Sequence, residues 1–153
     1  MLIRAMDIND LERIVELEHI LFTSTWDVSD FMYEILENQF SYNFVLEVDE
    51  QIVGYVGVWI MYEQSQITTV GIDPDYQGQG YGRLLMEEML ALAVSQGCEV
   101  MSLEVRVSNH KAISLYTEQV FNSSLCFLYI KVWALKIRQY VKIIIKIIMK
   151  MLI

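Results

Sequence analysis

Gln77-Gly78-Gln79-Gly80-Tyr81-Gly82-Arg83 lies between an apolar alternating run, Ile67 to Asp73, and a run with helical spacing, Leu84 to Ser95. Three glycines at alternate positions let the backbone turn tightly and leave no β-carbon between the amide N–H groups and an approaching ligand. The helix that follows begins with amides that have no partner inside the helix, and its dipole favours negative charge there. A phosphate cradle has this chemistry, but a glycine-rich strand-to-helix turn needs no ligand, and the glycines alone leave both readings open. The rest of the chain has to separate them.

At 153 residues, 54% hydrophobic and with one proline, the chain has the composition of one folded domain with its own core. A net charge of −9 argues against a general nucleic-acid binder, which needs a basic surface to release counterions. The charge is unevenly spread: all 20 acidic residues lie at or before Glu118, and six of the 11 Lys and Arg lie after it. Cys98 and Cys126 form no CxxC and read as buried thiols of a reduced chain, not as a disulfide or a metal site. Arg4, Asp7 and Asp10 interrupt the N-terminus before any signal-length apolar run, so a cytoplasmic protein is expected. The apolar run Val141–Ile153 is broken by Lys142, Lys146 and Lys150 and is too short to span a bilayer, which needs about 20 apolar residues.

The periodicities predict a strand at Leu2–Ala5, then a helix capped by Asp7 with Ile8, Leu11, Ile14, Val15 and Ile20 inward. A second helix is expected over about Ser29–Leu36 with Phe31, Met32, Ile35 and Leu36 inward. Tyr42–Val48 and Ile52–Met61 read as strands joined at Asp49-Glu50-Gln51, and Gln66–Ile72 as a third strand ended by Asp73-Pro74-Asp75. Gly97 closes the helix Leu84–Ser95. Val100–Val107 alternates as a strand, and Ser108 or Asn109 caps a helix through Tyr116. This order describes an α+β domain with a mixed, mostly antiparallel sheet, in which the third strand and Val100–Val107 run parallel through a crossover.

Within that frame "VGIDPDYQGQGYGRLLMEEML" resembles the acyl-CoA pyrophosphate-binding motif of the GNAT acetyltransferase superfamily, Q/R-x-x-G-x-G/A, through Gln77, Gly80 and Gly82. "LEVRVSNHKAISLY" and "FTSTWDVSDF", with Trp26, resemble segments of the RimI type, bacterial enzymes that acetylate the N-terminal alanine of a small-subunit ribosomal protein. The resemblance covers roughly residues 2–121, taken here as a GNAT domain over 1–121. A dinucleotide fold is disfavoured, because this loop follows an antiparallel meander and does not open a βαβ unit.

The resemblance implies a GNAT fold and acetyl-CoA as cofactor. Acetyl transfer to an amine needs a neutral nucleophile, a polarised thioester carbonyl and a proton for the departing thiolate. Glu104, on a strand with apolar neighbours at alternate positions, is expected in a partly desolvated setting as the base; as a plain strand residue it would pair with Arg106. Tyr116 matches the family's acid, neutral at pH 7 by its reference pKa of about 10. The backbone of Val70, Gly71 and Ile72 matches the edge that holds pantetheine and polarises the acetyl oxygen. Gly78, Gln79, Gly80, Tyr81, Gly82 and Arg83 match the pyrophosphate site, although Arg83 could equally be a solvated helix residue. Asn109 matches a cofactor contact and serves equally as an N-cap. Trp26, Asp27, Phe31, Tyr62 and Glu63 are expected along the peptide wall, with core packing as the other role of the aromatics. His19 and His110 are not expected in catalysis, and no metal is. The acceptor class is a ribosomal-protein N-terminus; a small amine, or a CoA-binding domain with impaired catalysis, are the alternatives.

After Tyr116 the chain departs from the family: Val120 stands where a glycine belongs, and residues 122–153 are a divergent segment. "KVWALKIRQY" is expected as the first of the family's last two strands, and "VKIIIKIIMKMLI" is not expected to form the second in its normal form. Read two bases later, Lys146–Leu152 permits Asp-Asn-His-Glu-Asp-Ala, which suggests a frame slip near Val141. Such a tail would make a β edge or an amphipathic helix, with Ile143, Ile144, Ile147, Ile148 and Met151 along one side, and a site for homodimer contact.

Overall fold

A computed structural model describes residues 1–106 and 108–115, and the backbone of residues 129–134 and 140–146. The chain forms two compact units, residues 1–59 with 68–86, and residues 60–67 with 87–153.

In the first unit, β1 (Leu2–Ala5) pairs antiparallel with β2 (Ser41–Val48), from Leu2↔Glu47 to Ala5↔Phe44. β2 pairs antiparallel with β3 (Gln51–Met61), from Ser41↔Trp59 to Val48↔Gln51. Asp49 (φ 50°) and Glu50 (φ 64°) make the two-residue turn between them in the left-handed conformation that matches the twist of a hairpin. β4 (Gln64–Ile72) lies next to β3 and starts two residues before its predicted position. Helices α1 (Leu11–Leu21) and α2 (Val28–Leu36) cover a core of Met6, Leu11, Ile14, Leu17, Phe31, Val45 and Tyr55.

The burial of both helices corrects the hydropathy pattern. Ile8 and Ile20 are 53% and 54% exposed, and Met32 and Leu36 are 40% and 63% exposed. Asp7 caps a 3-10 turn, Ile8–Asp10, that precedes α1, so Ile8 is out of phase with the helix it was counted in. Two acids take the inward places: Glu18 on α1 and Glu34 on α2, the latter receiving the Trp59 indole N–H (2.7 Å) and the Asn38 amide (3.1 Å). A carboxylate can sit inside when donors are waiting there, which a count of apolar residues does not register.

The second unit contains the β3–β4 tip, α3 (Tyr81–Ser95) from Glu87 onward, β5 (Val100–Arg106), helix α4 (residues 110–115), β6 (Tyr129–Ala134) and β7 (Tyr140–Lys146). Gly97, with φ 80°, ends α3: its N–H reaches the Val94 carbonyl and the Cys98 N–H that of Ala93, the double closure of a Schellman motif. β4 and β5 pair in parallel from Gln64↔Val100 to Gln66↔Ser102, as the strand order predicts. Met101, Leu103 and Val105 face inward. Cys98 is buried, and burial pushes its thiol pKa up; Cys126 lies outside the described residues.

The tail also departs from expectation. β7 pairs antiparallel with β5, from Val100↔Lys146 to Arg106↔Tyr140, and β6 pairs with β7 on its other side. The stretch "YVKIIIK" is therefore an inner strand, neither an edge nor a helix, consistent with the strand preference of its consecutive Ile residues. The predicted boundary at residue 121, and residues 147–153, lie outside the described residues.

Candidate functional site

In the first unit, β4 ends at Ile72 and Asp73 reorganises the chain. The Asp73 carboxylate accepts from the Asp75 N–H (2.9 Å) and the Arg13 guanidinium, and the Asp73 N–H donates to the Val53 carbonyl (2.8 Å). Arg13 also donates to the Ile52 carbonyl (3.3 Å), which ties α1 to the base of the loop. Pro74–Tyr76 form a 3-10 turn, after which the Gln77 amide reaches back to the Ile72 carbonyl at 3.0 Å. Gln77 thus holds the loop through its side chain, a role that its match to a cofactor motif does not reveal.

Gly78 (φ 78°) and Gly80 (φ 88°) are left-handed, and a β-carbon at either would meet nothing within 4 Å. Glycine is required there by backbone conformation, while the space above is open to a ligand. The first helical bond runs from the Leu84 N–H to the Gly80 carbonyl (3.0 Å), so α3 begins at Tyr81, three residues before the predicted start. The amides of Tyr81, Gly82 and Arg83 consequently precede the helical ladder and are donors for an anion. Residues 77–80 and Arg83 are exposed, whereas Val70 and Ile72 are half-buried and Gly71 buried. This cradle fits a pyrophosphate.

Trp26 and Asp27 sit between α1 and α2. Asp27 is exposed and caps α2, accepting from the Ser29 hydroxyl (2.6 Å) and the Asp30 N–H (3.0 Å); these donors hold its carboxyl below the usual carboxylate range. The Asp-x-x-Asp spacing of a capping box was a legible signal for this role. Trp26 packs on Phe31 with ring centroids 5.2 Å apart, and Phe31 on Tyr55 at 6.2 Å. Phe31 is wholly buried and offers no surface to a peptide, so of the pair only half-buried Trp26 can present one. Behind them the Glu18 carboxylate accepts from the Tyr55 hydroxyl (2.7 Å), the Thr69 hydroxyl (2.9 Å) and the Trp26 backbone N–H (3.3 Å). Sequence reasoning missed Glu18, Tyr55 and Thr69, since the three lie far apart in the chain and match no motif.

In the second unit, Tyr62 is 83% exposed with φ 55° at the β3–β4 tip, beside exposed Glu63. The Glu63 carbonyl accepts from the N–H groups of Glu99 (2.7 Å) and Val100 (3.1 Å). Glu104 is exposed on β5 between buried Leu103 and Val105, in register with Lys142. Its setting is solvated, unlike the partly desolvated one expected, because the odd-numbered face of β5 is the one turned inward. Asn109 caps α4, its side-chain oxygen accepting from the Ala112 N–H at 3.1 Å. A hollow of about 480 Å³ is lined by His110, Lys111, Ser114 and Leu115. His19 and His110 are exposed, and Tyr116 lies outside the described residues. Among the described residues no group of three or more His, Cys, Asp or Glu side chains could hold a metal, and no helix is long and apolar enough to cross a membrane.

Comparison with known proteins gives the family. Residues 11–121 match the acetyltransferase (GNAT) family. A Bacillus subtilis (strain 168) protein named for ribosomal protein bS18-alanine N-acetyltransferase activity is 40% identical over 114 residues, 74% of this chain and 76% of that one. The fold is that of the crystal structure of the Escherichia coli ribosomal-protein-S18-alanine N-acetyltransferase, with a TM-score of 0.74 at 23% identity over 98% of this chain and 94% of that one. It is also that of a Thermoplasma acidophilum N-acetyltransferase in complex with coenzyme A, with a TM-score of 0.78 at 15% identity over 95% and 98% of the two chains. With a glycine cradle that leaves helix amides open to an anion, a mixed sheet of this topology and a family match over most of its length, the chain belongs to the GNAT family and is an acetyl-CoA-dependent N-acetyltransferase.

Proposed function

We propose that the acceptor is the N-terminal amine of a protein, and specifically the N-terminal alanine of a small-subunit ribosomal protein. The observation that carries this reading is the 40% identity to the Bacillus subtilis relative over 114 residues. Bound acetyl-CoA supplies an activated thioester. The amides at Tyr81–Arg83 bind its pyrophosphate, with Asn109 as a further contact, and the backbone of Val70–Ile72 orients the acyl group. Exposure leaves Glu104 open to an amine or to an intervening water, as a base for an ammonium substrate must be. Tyr116 returns a proton to the thiolate. Trp26, Asp27, Tyr62 and Glu63 are the acceptor-side residues, and the acidic ones suit a cationic N-terminus. Ribosomal substrates imply a cytoplasmic protein. A homodimer through the tail would have to use a surface other than the edges of β7, which β5 and β6 occupy.

The test follows thiol release from acetyl-CoA with a peptide that carries the ribosomal-protein N-terminus. Glu104→Gln is expected to cost about 10²–10⁴-fold in kcat, the usual worth of a general base, and Tyr116→Phe a smaller factor. Coenzyme A binding without turnover on any N-terminal peptide would reject the acceptor, and full activity in both variants would reject the two catalytic roles.

A further inference from the structure

Glu18 is 2% exposed, and the ion pairs among the described residues leave it out. A carboxylate buried without a cation is costly, and an apolar residue of similar volume would serve packing better. Three neutral donors from three different elements satisfy it. Oε1 accepts from the Tyr55 hydroxyl of β3 (2.7 Å) and the Thr69 hydroxyl of β4 (2.9 Å), and Oε2 accepts from the backbone N–H of Trp26 between α1 and α2 (3.3 Å). Glu34, the inward acid of α2, differs: its donors are the Trp59 indole on β3 and the Asn38 amide, two residues past the end of its own helix.

The donors reach both sides of the reaction. Thr69 immediately precedes Val70, and Trp26 is the half-buried aromatic of the acceptor side, linked to Tyr55 a second time through the ring of Phe31. We propose that Glu18 is a positioning residue for acetyl transfer, whose one carboxylate holds the Trp26 loop and β4 at Thr69 in fixed register, so that the acceptor amine and the thioester-holding strand are aligned by the same group. This rests on the roles given above to Trp26 and Val70–Ile72. The chemistry needs an acceptor at both ends of the side chain. A glutamine either turns its NH₂ against the Trp26 N–H or forces both hydroxyls to reverse and leave their hydrogens unpaired.

Misplacing reacting groups by an ångström costs far more in rate than in binding. Glu18→Gln is expected to lower kcat about tenfold and raise the peptide KM about tenfold, with coenzyme A affinity within about twofold of wild type. Thr69→Val should lower kcat about fivefold with little change in peptide KM, and the double variant should be no worse than Glu18→Gln alone, since Thr69 acts through the shared carboxylate. Amide exchange at Trp26 should accelerate in Thr69→Val although the two residues are distant in the chain. Variants that lose stability yet keep wild-type kcat and KM would overturn the proposal, as would unchanged exchange at Trp26. If wild-type protein releases no thiol with any N-terminal peptide, the acceptor reading fails by itself, and the exchange measurement still decides the link.

Discussion

α2 and α3 both begin in the first unit, and their N-termini carry opposite chemistry. At α2, Asp27 accepts from the Asp30 N–H and Asp30 accepts in return from the Asp27 N–H, a reciprocal capping box. The 3-10 turn that leads into α1 carries a similar box, formed by Asp7 and Asp10. At α3 the corresponding residue is Gly80, which has no side chain to donate or accept. A helix that supplies its own carboxylate has spent its positive end on itself; one that begins with glycine keeps its amides and dipole for a ligand. Binding here depends on an omission as much as on a contact.

The comparison breaks most sharply if the omission is repaired. Gly80→Asp places a carboxylate where the cofactor phosphates go, and coenzyme A affinity measured by calorimetry should fall about 100-fold through like-charge repulsion and loss of the free helix end. Unchanged affinity would mean that the anion lies elsewhere.

The capped ends should respond in stability alone. Arg4 donates to both Asp10 oxygens (2.7 and 2.8 Å) and to Glu47 (2.6 Å), and Asp10 is 6% exposed. Arg4→Met leaves Asp10 buried without its cation and should cost about 2–3 kcal/mol by urea denaturation, with coenzyme A affinity of the folded protein unchanged.

Acid sharpens the same point. The Arg4 guanidinium holds the Asp10 carboxyl below its ordinary value of 3.8. A depressed native pKa contributes stability that is complete above the ordinary value and lost as pH falls through the native one. The urea midpoint should therefore decline below about pH 4, and Arg4→Met should flatten that part of the decline that belongs to Asp10.

The smallest effect belongs to the opposite end of α3. A β-carbon at Gly97 meets nothing within 4 Å, so Gly97→Ala pays only the left-handed backbone strain, about 1 kcal/mol, without altering coenzyme A affinity. Two glycines of one helix would thus separate a structural cap from a ligand site.

Much of this was legible in the chain. Alternation fixed β2, β3, β4 and β5 to within two residues, because a strand half-buried on one face must alternate. The glycine spacing with its Asp-Pro-Asp turn located the cradle, since few residue types tolerate φ near 80°. The inward faces of α1 and α2 were less legible. Ile20 and Leu36 were counted inward for being apolar yet face solvent, while Glu18, four residues after Ile14, and Glu34, three after Phe31, stand on the inward faces and are buried. A helix presents whichever residue its neighbours can satisfy, and here the neighbours bring a phenol, a threonine hydroxyl and an indole N–H. "YVKIIIK" became an inner strand although an edge or an amphipathic helix was expected, because β5 and β6 pair with its backbone on both sides.

By itself the sequence determined the α+β order, the left-handed glycines and the family's acyl-CoA motif, all properties of residues close together in the chain. Tertiary structure alone decided that Gln77 braces its own loop, that Phe31 is wholly inside, that Glu104 is solvated, and that Glu18 joins Trp26, Tyr55 and Thr69. Hydrogen-bond partners and burial depend on groups brought together from distant positions, and local composition carries no record of them.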